Sequence, residues 1–406
     1  MMSSGIGSGP DEMLATPQLT FITIFALWIG GITNALSQQP SSPGPAPLEH
    51  GLEIVGTSLS ASQTLDLDQA LKVLNIPSVS IALINHGEVA WARAYGGGGA
   101  SPRTLYQAAS LSKLVTAVAV LRLLQQGRLD LDGNVNAVLA SWHIPDSELT
   151  RGHPVTLRGL LSMTGGIGVP GYVGYGPGAA LPTFTQILDG VPPANSPPVR
   201  VESVPGSRYA YSGGGYEILQ AIIQDVTQKP FEEALQDLVL RPAGMADSSF
   251  LQPLPHALVP QAATGHYADG RELPGGWRVI PELAAGGLWS TPTDVAKLLI
   301  EIARAYRGEA SRLLDRETAR AMLTPQNGGP YGLGGAVSGS GPSLVLMKRG
   351  QNVGYQSYML IFPETGQGIV VMTGSDNGTT LATAIIYRAA LAYGWPPLST
   401  LPDQPC

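Results

Sequence analysis

The sequence predicts an α+β protein whose antiparallel sheet is formed by both ends of the chain and flanked by helices. Near the N-terminal end, the runs 78–84 and 89–92 are rich in β-branched and apolar residues and flank a Gly-containing turn, which is typical of a β-hairpin. Residues 358–362 and 369–372 repeat this pattern around the turn 363–368. A closing helix is predicted over residues 381–393, so strands occur at both ends with helices between and after them.

The middle of the chain has a different character. Strand patterns fade after residue 130, and helical segments at 216–226 and 231–239 alternate with Pro- and Gly-rich loops. The long loop 165–206 has little secondary structure of its own, so we predict that it forms a rim of the substrate site. The predicted units are an α/β part at 52–129 and 283–395, a mainly helical insertion at 130–282 and a tail at 396–406.

The first 37 residues resemble an export signal. An apolar stretch at 21–29 is followed by Ala35-Leu36-Ser37, which fits a small-residue cleavage site. No Lys or Arg precedes Lys72, so an uncleaved membrane anchor is the alternative, but the apolar core is shorter than the ~20 residues that span a bilayer. Residues 38–51 form a Pro/Ser-rich linker. We predict a periplasmic or extracellular protein that associates with membranes only through its N-terminal segment.

Composition narrows the functional classes. A net charge of -7 and a pI near 5.4 argue against a nucleic-acid partner, because proteins bind nucleic acids through clustered Lys and Arg. The single cysteine is Cys406, and no pair of histidines has the helical spacing of a zinc site. The sequence therefore predicts neither a metal nor an organic cofactor, and we expect a small-molecule or short-peptide substrate.

The strongest candidate for chemistry is the pair Ser110 and Lys113. Apolar residues recur at helical spacing from 110 to 126, and Gly127 ends the pattern. Side chains three residues apart lie on one helix face, so the lysine amine can take the serine proton. At the start of a helix, unpaired backbone N–H groups also favour an anionic intermediate.

Two later motifs supply further candidates. Tyr211 precedes the glycine run 213–215 at the start of a predicted helix, where it could act as a general acid or base if a neighbouring lysine lowered its pKa. Lys348 and Arg349 follow the apolar run 344–347, which is typical of a strand. Each motif is weak in isolation.

Taken in order, the three motifs resemble those of class C β-lactamases and D-alanyl-D-alanine carboxypeptidases: Ser110-x-x-Lys113, Tyr211-x-Gly213 and Lys348-x-Gly350. The resemblance covers residues 52 to 395 and implies a β-lactamase/transpeptidase-like fold. It implies that Ser110 is acylated, that Lys113 and Tyr211 share the proton transfers and that Lys348 orients the tyrosine or a substrate carboxylate. The implied oxyanion hole consists of the backbone N–H groups of Ser110 and Gln351.

The sequence departs from that family at two candidate substrate-binding positions. The second motif of the family usually ends in Asn, whose amide binds the acylamide of the substrate, whereas Gly213 offers only backbone. Arg349 stands where Thr or Gly is common, and Gly350 follows it. Losing one hydrogen bond costs about 1–3 kcal/mol, which disfavours amides and leaves activated esters reactive.

These observations predict a serine hydrolase that forms an acyl-enzyme on Ser110 and acts on β-lactam, D-peptide or ester carbonyls. Two alternatives remain open at this point. The first is a non-catalytic penicillin-binding or sensor protein that kept the fold. The second is an acyl transferase or peptide cyclase that passes the same acyl group to an amine.

Overall fold

The computed structural model describes residues 44–55 and 62–398. The predicted signal peptide, the beginning of the linker and the end of the tail lie outside these ranges. Within them, no helix is long and apolar enough to cross a membrane. The strands are β1 (Leu52–Ile54), β2 (Gln63–Leu65), β3 (Ser78–Asn85), β4 (Glu88–Gly96), β5 (Tyr106–Gln107), β6 (Trp289–Ser290), β7 (Ala336–Ser338), β8 (Val345–Asn352), β9 (Tyr355–Phe362) and β10 (Gln367–Thr373).

The helices lie mostly between β5 and β7. They are α1 (Ala46–Glu49), α2 (Leu67–Val73), α3 (Ser112–Gln125), α4 (Leu157–Leu161), α5 (Phe184–Asp189), α6 (Gly214–Thr227), α7 (Phe231–Leu235), α8 (Arg241–Ala243), α9 (Leu283–Gly286), α10 (Pro292–Arg307), α11 (Arg316–Met322) and α12 (Gly378–Ala392). A π-helical turn, Gln236–Leu240, joins α7 to α8.

The central sheet has six antiparallel strands in the order β4-β3-β10-β9-β8-β7. Both predicted hairpins are present, and they meet where Val79 of β3 pairs with Thr373 of β10. His86 and Gly87 in the first hairpin turn have φ of 52° and 74°, as a tight two-residue turn between twisted strands requires. The expected α+β sheet built from both ends of the chain is therefore confirmed.

Helices cover this sheet. Every residue of β9 is buried, so the sheet is packed on both faces at its centre. α10 and α12 contact β9 and β10, and the turn that precedes α3 packs on β8 and β9. Local sequence sets the start of α10, because Thr291 Oγ1 accepts from the backbone N of Asp294 and Pro292 fixes the first helical turn.

The predicted linker is shorter than expected. Residues 46–49 form α1, whose Leu48 is fully buried, and Arg388 of α12 donates to the carbonyls of Pro47 (3.0 Å) and His50 (3.1 Å). The prediction of a linker reaching residue 51 is therefore wrong for residues 46–51. The apolar surface of Leu48 and the cationic side chain of Arg388 fix this segment against the C-terminal helix.

The structure describes every residue of the segment 130–282, and none of them belongs to a strand of the assigned sheets. Its helices α4 to α8 alternate with long loops. α6 packs against α3, and both belong to one continuous hydrophobic core with the sheet. The short pair β5–β6 places residues 106–107, just before Ser110, beside residues 289–290, just after α9. This pairing brings α9 to the start of α3.

Candidate active site

Ser110 lies in a single 3₁₀ turn, Ala109–Leu111, directly before α3. The α-helix predicted to start at Ser110 starts at Ser112 instead. Ala109 has a φ of +51°, a left-handed conformation that is uncommon outside glycine, and Ser112 Oγ donates to its carbonyl at 2.6 Å. The same hydroxyl accepts from the backbone N of Leu288 at 3.1 Å. Through the Ser112 hydroxyl, the segment that follows α9 therefore holds the serine turn in place.

Lys113 contacts Ser110 as the motif predicts. Its Nζ donates to Ser110 Oγ at 3.1 Å and to the carbonyl of Ala285 in α9 at 2.7 Å. The lysine is 1% exposed and the serine 8% exposed, so both side chains are buried at the bottom of the site. In its neutral form, an amine at this distance can accept the hydroxyl proton.

Tyr211 lies between the two motif lysines. Its ring centroid is 5.2 Å from Lys113 Nζ and 5.3 Å from Lys348 Nζ, which is cation–π distance on both sides. The tyrosine comes from the loop before α6, and Lys348 comes from β8. The structure therefore brings together Ser110, Lys113, Tyr211 and Lys348, although they lie far apart in the sequence.

Strand β8 approaches the serine turn closely because of Gly350. A Cβ at Gly350 would lie 2.3 Å from the carbonyl oxygen of Ala108 and 3.1 Å from the backbone N of Ser110. Such distances exclude any side chain here without movement of the backbone. The next residue, Gln351, lines the cleft in front of Ser110.

The two departures from the family have different surroundings. Arg349 Nη2 donates to Thr379 Oγ1 of α12 at 3.3 Å. Gly213 lies at the N-terminus of α6 with ordinary helical angles, φ -73° and ψ -40°. A Cβ on it would meet Cε2 of Tyr172 at 3.1 Å and the carbonyl of Pro170 at 3.3 Å. The Tyr172 ring thus lies directly against the place where a longer side chain at position 213 would project.

A cleft of about 360 Å³ opens over Ser110 and Lys113. Residues 170–173 of the predicted rim line one side of it. The remaining lining residues come from the serine turn, α9 and its approach, and the end of β8: Ser110, Lys113, Ile280, Ala285, Gly286, Gln351 and Asn352.

Sequence reasoning missed three residues in or beside the site. Tyr172 belongs to the rim, and Asn352 donates to Gln107 Oε1 at 2.8 Å and to the carbonyl of Gly286 at 3.3 Å. Tyr331 accepts from Lys348 Nζ at 3.4 Å and packs 5.4 Å from the ring of Tyr209. The only local signal was for Tyr331, which lies within a glycine-rich run at 328–335.

Two buried carboxyl groups lie behind Lys113. Glu217 of α6 and Glu282, just before α9, are both 0% exposed. Burial and the neighbouring Glu282 raise the pKa of Glu217 well above its usual range, and burial raises the pKa of Glu282 to about 7. Glu217 Oε1 accepts from the backbone N of Ala285 at 2.9 Å. In the described part of the chain, no group of three or more His, Cys, Asp or Glu could hold a metal ion.

The antiparallel sheet, the serine turn on its face and the buried lysine define a class of protein, those with a β-lactamase-like fold. The chain belongs to the beta-lactamase family, whose model matches residues 66–394. This assignment confirms, at the level of the family, the resemblance inferred from the three motifs.

Known relatives agree with the family assignment. Protein flp of Staphylococcus aureus (strain MW2) is 26% identical over 345 residues, 77% of this chain and 62% of flp, so the chain spans less than two thirds of that relative. The D-alanyl-D-alanine-carboxypeptidase/endopeptidase AmpH of Escherichia coli (strain K12) is 26% identical over 285 residues, 66% of this chain and 70% of AmpH. The octameric penicillin-binding protein homologue from Pyrococcus abyssi has the same fold, with a TM-score of 0.64 and 24% identity over 83% of this chain and 78% of that chain.

Proposed function

We propose that the protein is a carboxylic ester hydrolase that forms an acyl-enzyme on Ser110. Attack of Ser110 Oγ on the ester carbonyl forms the C–O bond, and Lys113 Nζ, 3.1 Å away, takes the hydroxyl proton. The backbone N–H groups of Ser110 and Gln351 stabilise the oxyanion. Collapse of the intermediate expels the alcohol, which receives its proton from Lys113 through Tyr211. Water then attacks the acyl-enzyme by the same route and releases the carboxylic acid.

Lys348 has an electrostatic role in this proposal. The residue is 1% exposed, and its Nζ lies 5.3 Å from the ring centroid of Tyr211 and 3.4 Å from Tyr331 Oη. A cation so close to the ring attracts the negative charge that develops on the tyrosine during proton transfer, because opposite charges attract strongly where water is excluded. The tyrosine can then exchange a proton with the leaving group during both half-reactions.

The preference for esters follows from one observation, the ring of Tyr172 against Gly213. The amide that family members use to bind the substrate acylamide is absent from Gly213, and the ring lies where it would project. A peptide or β-lactam acylamide would lose a hydrogen bond worth about 1–3 kcal/mol, whereas an ester with an apolar acyl group loses nothing and gains aromatic contact.

The proposal includes the cellular location of the protein. The apolar run 21–29 and the cleavage-like residues 35–37 lead us to propose export, with substrates in the periplasm or outside the cell. An acidic chain with a cleft of about 360 Å³ suits a small neutral or short-peptide ester rather than a polyanion.

A substrate panel tests the proposal. Wild type, Ser110→Ala and Ser207→Ala, an exposed serine in the loop that leads to Tyr211, are assayed with a short-chain p-nitrophenyl ester, nitrocefin and a D-Ala-D-Ala peptide. We expect kcat/KM to be highest for the ester, with at least about a 10³-fold loss in Ser110→Ala and none in Ser207→Ala. Equal turnover of the ester by Ser110→Ala would refute the nucleophile, and preferred hydrolysis of the peptide or nitrocefin would refute the substrate class.

A further inference from the structure

Helix α9 connects Lys113 to the buried carboxyl group of Glu217. Its backbone N–H groups point towards α6, where Ala285 N donates to Glu217 Oε1 at 2.9 Å. Its carbonyl groups point towards α3, where Ala285 O accepts from Lys113 Nζ at 2.7 Å. One peptide segment therefore links the glutamate to the lysine that contacts Ser110.

The first turn of any helix leaves backbone N–H groups without partners inside the helix. The residue that would cap α9, Glu282, makes no side-chain cap bond. Two side chains of α6 bind these N–H groups instead: Glu217 accepts from Ala285 N, and Gln220 accepts from Ala284 N at 3.1 Å. α9 is only four residues long, so these two bonds form much of what fixes its orientation.

We propose that Glu217 is a positioning residue for Lys113, which it holds at hydrogen-bond distance from Ser110 by fixing the backbone of Ala285, whose N–H and carbonyl are joined through its Cα. This role rests on the proposed acyl-enzyme chemistry. Glu217 does not touch the substrate in this role. It determines where the carbonyl of Ala285 lies, and that carbonyl determines where the amine of Lys113 lies.

The carboxyl group acts in its neutral form. Glu282, Tyr172 and Lys113 are the ionisable groups that face Glu217, and two carboxyl groups at 0% exposure cannot both ionise without a large desolvation cost. A neutral carboxyl group keeps its carbonyl oxygen as an acceptor for Ala285 N. Glutamine has the same length and the same acceptor, so it should serve equally well.

The chain contains a matched control for this idea. Gln220 is one helical turn beyond Glu217 and makes the same kind of bond to the backbone N of the preceding residue, Ala284. The carbonyl of Ala284, however, accepts from Thr116 Oγ1 at 3.3 Å and not from the lysine. Glu217→Leu and Gln220→Leu therefore each remove one bond to a backbone N–H of α9, but only Glu217 bonds to the residue whose own carbonyl accepts from Lys113.

The test compares wild type, Glu217→Leu, Glu217→Gln and Gln220→Leu. The rate of Ser110 acylation by a fluorophosphonate probe, kcat and KM for a p-nitrophenyl ester, and thermal unfolding are measured for each. We expect acylation and kcat to fall about 10- to 100-fold in Glu217→Leu with KM little changed, and to stay within about 3-fold of wild type in Glu217→Gln and Gln220→Leu. If Glu217→Leu shows no cooperative unfolding, Glu217→Met, an unbranched apolar replacement of similar volume, takes its place with the same expectation.

Three results would overturn the positioning role: equal losses in Glu217→Leu and Gln220→Leu, an unchanged rate in Glu217→Leu, or a loss in Glu217→Gln as large as in Glu217→Leu. The last result would assign the function to a charge or a mobile proton. If the wild type is not labelled at Ser110 at all, the proposed function itself fails, and this outcome is distinct from the other three.

Discussion

Position 213 and the Tyr172 ring should be coupled, and the coupling can be measured. Gly213 has helical φ and ψ, so asparagine fits its backbone without strain. The obstacle is the ring: Cβ would lie 3.1 Å from Cε2 and 3.4 Å from Cδ2 of Tyr172. The amide beyond that Cβ needs the volume that the ring fills, so Gly213→Asn should distort the site until the ring is removed.

The size of the effect follows from these contacts. Overpacking by a side chain of this size costs about 1–3 kcal/mol, so Gly213→Asn alone should lower kcat/KM for the ester about 5- to 150-fold. Gly213→Asn combined with Tyr172→Ala should recover most of that loss. We expect a coupling free energy of about 1–2 kcal/mol between the two positions. The double variant should also hydrolyse amide or β-lactam substrates about 10-fold or more faster than Tyr172→Ala, since it offers the missing amide.

A double-mutant cycle on kcat/KM, with both an ester and nitrocefin, provides the measurement. Tyr172→Phe is the matched control, because Cε2 and Cδ2, which make the contact, remain while the hydroxyl is lost. Gly213→Asn should therefore be as harmful in the Tyr172→Phe background as it is beside the native tyrosine. Additive effects, with a coupling free energy below about 0.5 kcal/mol, would show that the ring does not occupy the space of the missing amide.

Two further predictions concern Gly350, where β8 meets the serine turn, and the buried carboxyl group of Glu282. Gly350→Ala should destabilise the fold by about 1–3 kcal/mol and abolish labelling of Ser110, because the added Cβ would lie 2.3 Å from the carbonyl oxygen of Ala108. Urea unfolding and labelling with the fluorophosphonate probe test this prediction. Labelling of the variant at the wild-type rate would contradict it. Burial raises the pKa of Glu282 from 4.5 to about 7, so its protonated form stabilises the fold below about pH 4.5 and this contribution is lost as the pH rises through 7. Glu282→Gln should therefore gain up to about 3 kcal/mol relative to wild type between pH 4.5 and 8, measured by urea unfolding; a constant difference across that range would contradict the assignment.

Much of the fold could be predicted because its signals are local. The hairpins appear as β-branched runs on either side of turns, and the order of the motifs indicated which residues meet. The strand predicted from residues 344–347 continues to Asn352, through Lys348 and Gly350, because pairing with β9 overrides the weak strand preference of these residues.

The parts that could not be predicted depend on packing between distant segments. Ala285 has no side chain that suggests chemistry, yet its carbonyl binds Lys113. Tyr172 follows Pro170 and Gly171 in a loop with no periodicity, so no pattern indicates that its ring meets Gly213. The 3₁₀ turn at Ser110 depends on a left-handed Ala109, which is held by Ser112 and Leu288 rather than by any preference of alanine.

The pairing of β3 with β10 has a consequence for biosynthesis. Val79 finds its partner Thr373 only after residues 80–373 have been synthesised, and α1 contacts Arg388 later still. Until then β3 has a single neighbouring strand, and its other edge remains available to wrong partners. A frameshift that removes only the last strand and helix would leave β8 and β9 beneath the serine turn but would separate them from β3 and β4.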